Sequence, residues 1–305
     1  IMPSLVGSEM CIRDSIRALT VKRAEPPQVE TGRLVPVPGG SPEVASLDTI
    51  FEVMSAAQLT EELAELEPDF LYVPLDVLAE DPGSIEPFLR RGATVAAVMP
   101  RVIHDGELRG VAALLQKART AGVTQALVGN LGHVGIARAA GLDLRGDWSL
   151  NLFNSYSLQI AAKAGLLSAA VSFELNMEQI RQLSKPLDTE IIAYGRLPAM
   201  LTERCLIKAS AGRCACGAPA RMSDEYGGVY PVLREYVCRN AVYGPAKVFL
   251  GDRLDDVKKA GVRGARLLFT NEGPRECVEV AKSFLGLSGY RPNGLTRGLY
   301  YRGVE

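Results

Sequence analysis

A chain of 305 residues, 47% apolar and 23% charged, carries ample material for a large core. Its formal net charge of −1 excludes nucleic-acid binding through bulk charge, though a local basic site stays open. No run approaches the ~18 apolar residues of a membrane span, and six cysteines in a chain too long to need stapling point to reduced thiols and the cytoplasm.

The first fifteen residues, IMPSLVGSEMCIRDS, have no amphipathic period and lack the charged start and long apolar stretch of a secretory signal. They read as a non-native tail with few contacts to the core, which sets Cys11 aside. Residues 16–46, with EPPQ and PVPGGSP, read as an irregular linker. From 47 to 305 short apolar runs alternate with segments of helical period, the pattern of repeated βα units. The predicted strands are TIFEVM (49–54), FLYVPL (70–75), TVAAVM (94–99), QALVGN (125–130), DWSLNLF (147–153), AAVSFE (169–174), EIIAYG (190–195) and ARLLFT (265–270). Between them lie predicted helices such as GELRGVAALLQKARTAG, SYSLQIAAKAG and NMEQIRQLS, several ending in the Gly that suits a helix C-terminus. Eight such strands predict an α/β fold, a (β/α)8 TIM-barrel-like domain, with an insertion at about 196–264 between strands seven and eight. The alternative is an open doubly wound sheet, but no glycine-rich phosphate fingerprint follows the first strand.

An insertion after a barrel strand emerges at the C-terminal face, where barrel active sites lie. The strand ends would bring Asn130, Asn151, Asn154, Glu174, Tyr194, Arg196 and Glu272 to that rim. Glu174 and Tyr194 are candidate catalytic groups, and Asn151, Asn154 and Arg196 candidate substrate-binding groups, Arg196 through its planar fork of donors. For Glu174 the alternative is a helix cap. The insertion holds Cys205, Cys214, Cys216 and Cys238, enough thiolates for a tetrahedral zinc site or an iron–sulfur cluster. Their spacing lacks the paired CxxC of common zinc ribbons and does not choose between the two. From Pro198 to Leu250 seven Lys/Arg face four Asp/Glu, a surplus that suits an acidic ligand. Only His104 and His133 are present, and neither a nucleophile elbow nor an HExxH helix supports a common hydrolase.

The order NLFNS, SFELN, AYGRLPAMLTERC, GRCACG, YPVLREYVCRN and RLLFTNE, with TRGLYYRGV near the end, resembles the collagenase-like U32 peptidase family. The likeness runs from about Leu47 to Val304 and is closest to the C-terminal half of the family's long members. It implies a U32-type enzyme or subunit. One form would be a peptidase, and another an O2-independent hydroxylase of RNA or a small aromatic substrate with a prephenate-like oxygen donor. A third is a non-catalytic cluster or RNA-docking module of a longer protein. The resemblance also implies a four-iron, four-sulfur cluster on Cys205, Cys214, Cys216 and Cys238, with zinc as the alternative. The tight CAC pair departs from the family's wider spacing. RNA or a second U32-type subunit are the implied macromolecular partners, and a small anionic substrate the implied ligand.

Overall fold

The computed structural model describes residues 38–213 and 220–302; the tail expected at 1–15, Cys11, Cys214 and Cys216 lie outside them. Strands β1 (Asp48–Glu52), β2 (Phe70–Pro74), β3 (Thr94–Val98), β4 (Gln125–Val128), β5 (Asp143–Gly146), β6 (Leu166–Ala170) and β7 (Asp188–Thr202) pair in sequence, each parallel to the last. The ring closes through a later parallel strand, Gly264–Leu268, which aligns Gly264 with Asp48 on one side and with Glu190 on the other. This is a closed eight-stranded barrel. Right-handed helical connections between parallel strands put the helices on the outside, so most strand residues are buried on both faces.

Parity along the strands sorts the two faces. Phe51, Leu71, Val73, Val95, Ala97, Ala126, Val128, Ile191 and Ala193 join the core between barrel and helices. Ile50, Tyr72, Ala96 and Leu127 form the separate cluster inside the barrel. The outer helices present matching stripes. Val111, Leu115 and Ala118 are the buried face of Leu108–Thr120, and Cys277, Val278, Ala281 and Phe284 that of Pro274–Phe284.

Two strands start earlier in the chain than their apolar runs suggested. The fifth is Asp143–Gly146 rather than 147–153: after Asp147 the chain makes a 3-10 turn over Trp148–Leu150, and Asn151 takes a left-handed backbone at φ 49. Only Leu152 remains in a bridge, to Val171. The sixth is Leu166–Ala170 rather than 169–174, because its ladder partner on β7 begins at Asp188.

Strand β7 is 15 residues long and serves two sheets. Its first half is a barrel stave, and its second half extends past the C-terminal mouth as one edge of an antiparallel sheet with β8 (Ala220–Ser223), β9 (Val229–Glu235) and β10 (Arg239–Phe249). Gly264–Leu268 is β11 in chain order, and β12 (Leu295–Thr296) adds a short parallel contact to β10. Gly195 marks the changeover, at φ 124.

Candidate functional site

The barrel interior carries charge where its strands are apolar in sequence. Glu190 on β7 is wholly buried, and its Oε1 accepts from the Tyr72 hydroxyl at 2.7 Å, Ser168 Oγ at 2.7 Å and Arg145 Nη2 at 2.7 Å. Its Oε2 accepts from Arg266 Nη2 at 2.8 Å. The other end of the Arg266 fork, Nη1, donates to Asp147 Oδ1 at 2.6 Å and to Glu52 Oε2 at 3.1 Å. Burial alone would raise the Glu190 carboxyl, but Arg266 and Arg145 outweigh it and hold it at about 2. Glu52 goes the other way: burial, aided by the like charge of Asp147 and opposed by Arg266 and Arg101, pushes it up to about 7.

Above this layer, at the C-terminal mouth, lies a cavity of about 650 Å³. Glu52, the last residue of β1, Asp147 and Thr270 belong to its floor. Met54, Met99, Trp148 and Leu268 give it apolar walls. Arg101, just past β3, lies over the Trp148 ring at 4.9 Å and donates through Nε to Glu235 at 3.1 Å. Residues Val232 to Tyr236 of β9 and its following turn, with Tyr243 of β10, form the roof. The insertion therefore overhangs the mouth of the barrel and leaves beneath it a partly open cavity with apolar walls and a charged floor.

The rim residues expected from the sequence scatter. Glu272 does reach the cavity; it accepts from the Tyr194 hydroxyl at 3.2 Å and pairs with Lys247 at 3.1 Å. Tyr194 itself turns outward, because a register shift on β7 directs it against Phe269 and Phe284 in the helix layer. Asn154 caps the helix Ser155–Lys163, its Oδ1 accepting from Ser157 N at 2.9 Å. Asn151 and Glu174 are exposed in the loops after β5 and β6, outside the cavity, and the cap that Glu174 could have supplied is made by Asn176. Arg196 sits beside a second cavity of about 660 Å³ with Arg221 and Asn271. Its Nη1 donates to the carbonyls of Gly244, at 3.1 Å, and Pro245, which ties β7 to the insertion. His133 is buried with its pKa lowered by that burial, and His104 contacts Glu203 at the surface.

Of the four clustered thiols, Cys205 and Cys238 are described, both unpaired as disulfides. The β7–β10 register sets Asn240 opposite Thr202, and two further contacts continue that end of the sheet. Leu206 N donates to Asn240 Oδ1 at 2.7 Å, and Arg239 Nε to Glu203 at 2.8 Å. Cys205, one residue before Leu206, and Cys238, one before Arg239, thus stand at the same end of the insertion sheet. Cys205 Sγ accepts from Lys208 N at 3.3 Å. Cys238 ends the tight turn in which Tyr236 and Val237 hold φ of 31 and 56, a backbone that a β-branched residue rarely takes. Among the described residues no three His, Cys, Asp or Glu side chains are grouped to hold a metal ion, and no helix is long and apolar enough to cross a membrane.

A family model described as peptidase family U32 matches residues 83–224. No curated protein matches the sequence. Among solved structures, the chain is similar to a mutant tryptophan synthase alpha-subunit from the hyperthermophile Pyrococcus furiosus at 10% identity and a TM-score of 0.46, covering 81% of this chain and 100% of that one. It is also similar to one described as native KDPGal, at 11% identity and a TM-score of 0.45, covering 81% and 97%. The barrel assignment stands on the strand pairing itself.

Proposed function

We propose that this chain is a U32-type enzyme or enzyme subunit, since a family model described as peptidase family U32 matches residues 83–224. In this reading it carries out O2-independent hydroxylation on a small aromatic or RNA-borne group held at the barrel mouth. The supporting observation is a shared hairpin: β9 and its turn roof the cavity from Val232 to Tyr236, and the same turn carries Cys238. A cysteine-borne centre and the cavity would then be neighbours through one short piece of backbone. The apolar wall of Trp148, Met54 and Met99 suits a planar ring.

In donor chemistry the two described thiols suit an iron–sulfur centre. They are sulfur donors at one sheet end, one accepting a backbone N–H and the other on a constrained turn. Cys205, Cys214, Cys216 and Cys238 would hold it, and it would supply one-electron redox chemistry when bound. Zinc on the same thiolates is the alternative donor match.

Anaerobic purification with iron and sulfide analysis tests the reading. The expected result is a coloured protein with about four irons per chain. Cys205→Ala and Cys238→Ala should each lose the visible absorption while the far-UV circular dichroism of the barrel persists. A colourless protein with stoichiometric zinc, or iron content untouched in both variants, removes the hydroxylase reading. Peptide hydrolysis, the activity in the family's name, is the second reading. It predicts that cluster-free protein cleaves gelatin.

A further inference from the structure

The charges inside the barrel do not balance. Arg145 and Arg266 are two cations, whereas Glu52, Asp147 and Glu190 are three carboxyl groups. Glu190 is held by both guanidinium groups, and Asp147 takes the closer share of Arg266 Nη1 at 2.6 Å. Glu52 is left with the longer share of that same nitrogen, 3.1 Å. It also ends β1 and lines the mouth cavity from beneath, as does Asp147 just past β5. The next cation, Arg101, is engaged by Glu235 through its Nε, its Nη2 and its backbone N–H.

We propose that Glu52 is the group that exchanges a proton with the molecule bound in the mouth cavity, and that Arg266 and Asp147 are positioning residues that set how readily it does so. This rests on reading the cavity as the substrate site. The ligand it would serve is an aromatic compound bearing a hydroxyl, its ring on the Trp148 and Met99 side and its oxygen toward the floor. In the transfer the ligand O–H bond breaks, its electron pair stays on the ligand oxygen, and a new O–H bond forms on the Glu52 carboxylate. The reverse step returns the proton, so no oxidant or reductant enters.

The charged and titratable groups around Glu52 come from every neighbouring element. They are Arg266 on β11 with Glu190 of β7 behind it, Asp147 after β5, Arg101 after β3, Tyr243 on β10, and Tyr72 on β2 beneath the Arg266 guanidinium. Burial and Asp147 hold the carboxyl at about 7, so both of its forms are populated near neutral pH.

Trp148 is the chain's single tryptophan, follows Asp147 and lines the cavity, so its fluorescence reads the ionisation with no substrate needed. The wild-type emission should change through a single transition near neutral pH. Glu52→Gln should abolish it, and Asp147→Asn, which removes a like charge, should move it down by about one pH unit. The ligand probe is 4-hydroxybenzoate, read by quenching of the same residue. In the wild type its binding should weaken below the transition by about tenfold per pH unit, because the carboxylate that accepts from the ligand hydroxyl must first lose its own proton, and in Glu52→Gln this dependence should vanish. A transition that persists in Glu52→Gln, or quenching there with the wild-type pH dependence, overturns the assignment and leaves the cavity as the site. Absence of quenching at every pH in both proteins overturns the cavity reading, and the proton exchange with it. Should Glu52→Gln fail to fold, an unmoved transition in Asp147→Asn overturns the assignment.

Discussion

Arg266→Met should destabilise the protein by about 3–5 kcal/mol at pH 8, the cost of leaving buried charge without its partner. Arg266 is fully buried, and its fork is the one contact joining Glu52, Asp147 and Glu190. Removing it leaves three carboxyl groups with Arg145 alone, against a total stability of about 5–15 kcal/mol for a typical domain. The sign of the pH dependence follows from the two carboxyl groups that shift in opposite directions. Glu190 is held at about 2, so its contribution is present above the ordinary carboxylate value of 4.5 and is lost as the pH falls from there toward 2. Glu52 sits at about 7, so the folded state binds the extra proton between 4.5 and 7, and this group costs stability as the pH rises through that window. In Arg266→Met both carboxyl groups move upward, and the folded variant binds more protons than the wild type near neutrality. The gap between the two proteins should therefore be widest at pH 8 and narrow toward pH 5. Urea midpoints at the two pH values measure it, and a gap that is constant or widens on acidification would refute the account.

Gly195→Ala is expected to cost about 3–5 kcal/mol, at the upper end for a single methyl group. The residue lies at φ 124, and an added Cβ would come within 2.3 Å of the Leu268 carbonyl oxygen and 2.9 Å of its Cβ. Leu268 is fixed by its own pairing to β1, so the carbonyl cannot retreat without opening the barrel seam. Gly286→Ala is the control: φ is 73 there but nothing lies within 4 Å, so only the backbone preference is lost, about 1 kcal/mol. Thermal unfolding of the two variants side by side decides the matter. Equal losses would show that the close approach at Gly195 carries no weight.

Most staves of the barrel were legible because parallel strands buried on both faces read as continuous apolar runs. β1 to β4, β11 and the barrel half of β7 overlap theirs. β5 was not legible because DLRG has one outward apolar residue, an inward arginine and a glycine whose missing Cβ leaves room for Ala169 at 2.8 Å. The nearby SLNLF offered a stronger run and belongs to a loop. The site failed to show for a related reason. Rim residues were chosen by position at strand ends, whereas the groups that converge are charges set inside apolar runs: Glu52 in TIFEVM, Glu190 in EIIAYG and Arg266 in ARLLFT. A charged side chain at the inward parity of a buried strand was the available signal, since such a group persists only when paired. The thiol cluster was plain in sequence because spacing is visible there, but what it binds depends on three-dimensional closure that spacing does not encode.

The length of β7 has a mechanical consequence. A strand that is stave and sheet edge at once behaves as a single beam clamped at both ends, by β6 and β11 below and by β10 above. Swinging the roof away as a rigid lid would mean tearing that ladder, at about 1 kcal/mol for each hydrogen bond. A change that widens the cavity would then come more easily at its side, between the loops after β1 and β2 and the outer flank of β9. There the ties are side chains, Arg234 with Asp76 at 2.9 Å and with Glu80 at 3.2 Å, rather than backbone ladders. Exposed side chains change rotamer in nanoseconds or less, so this flank of the cavity is softer than the laddered frame around it.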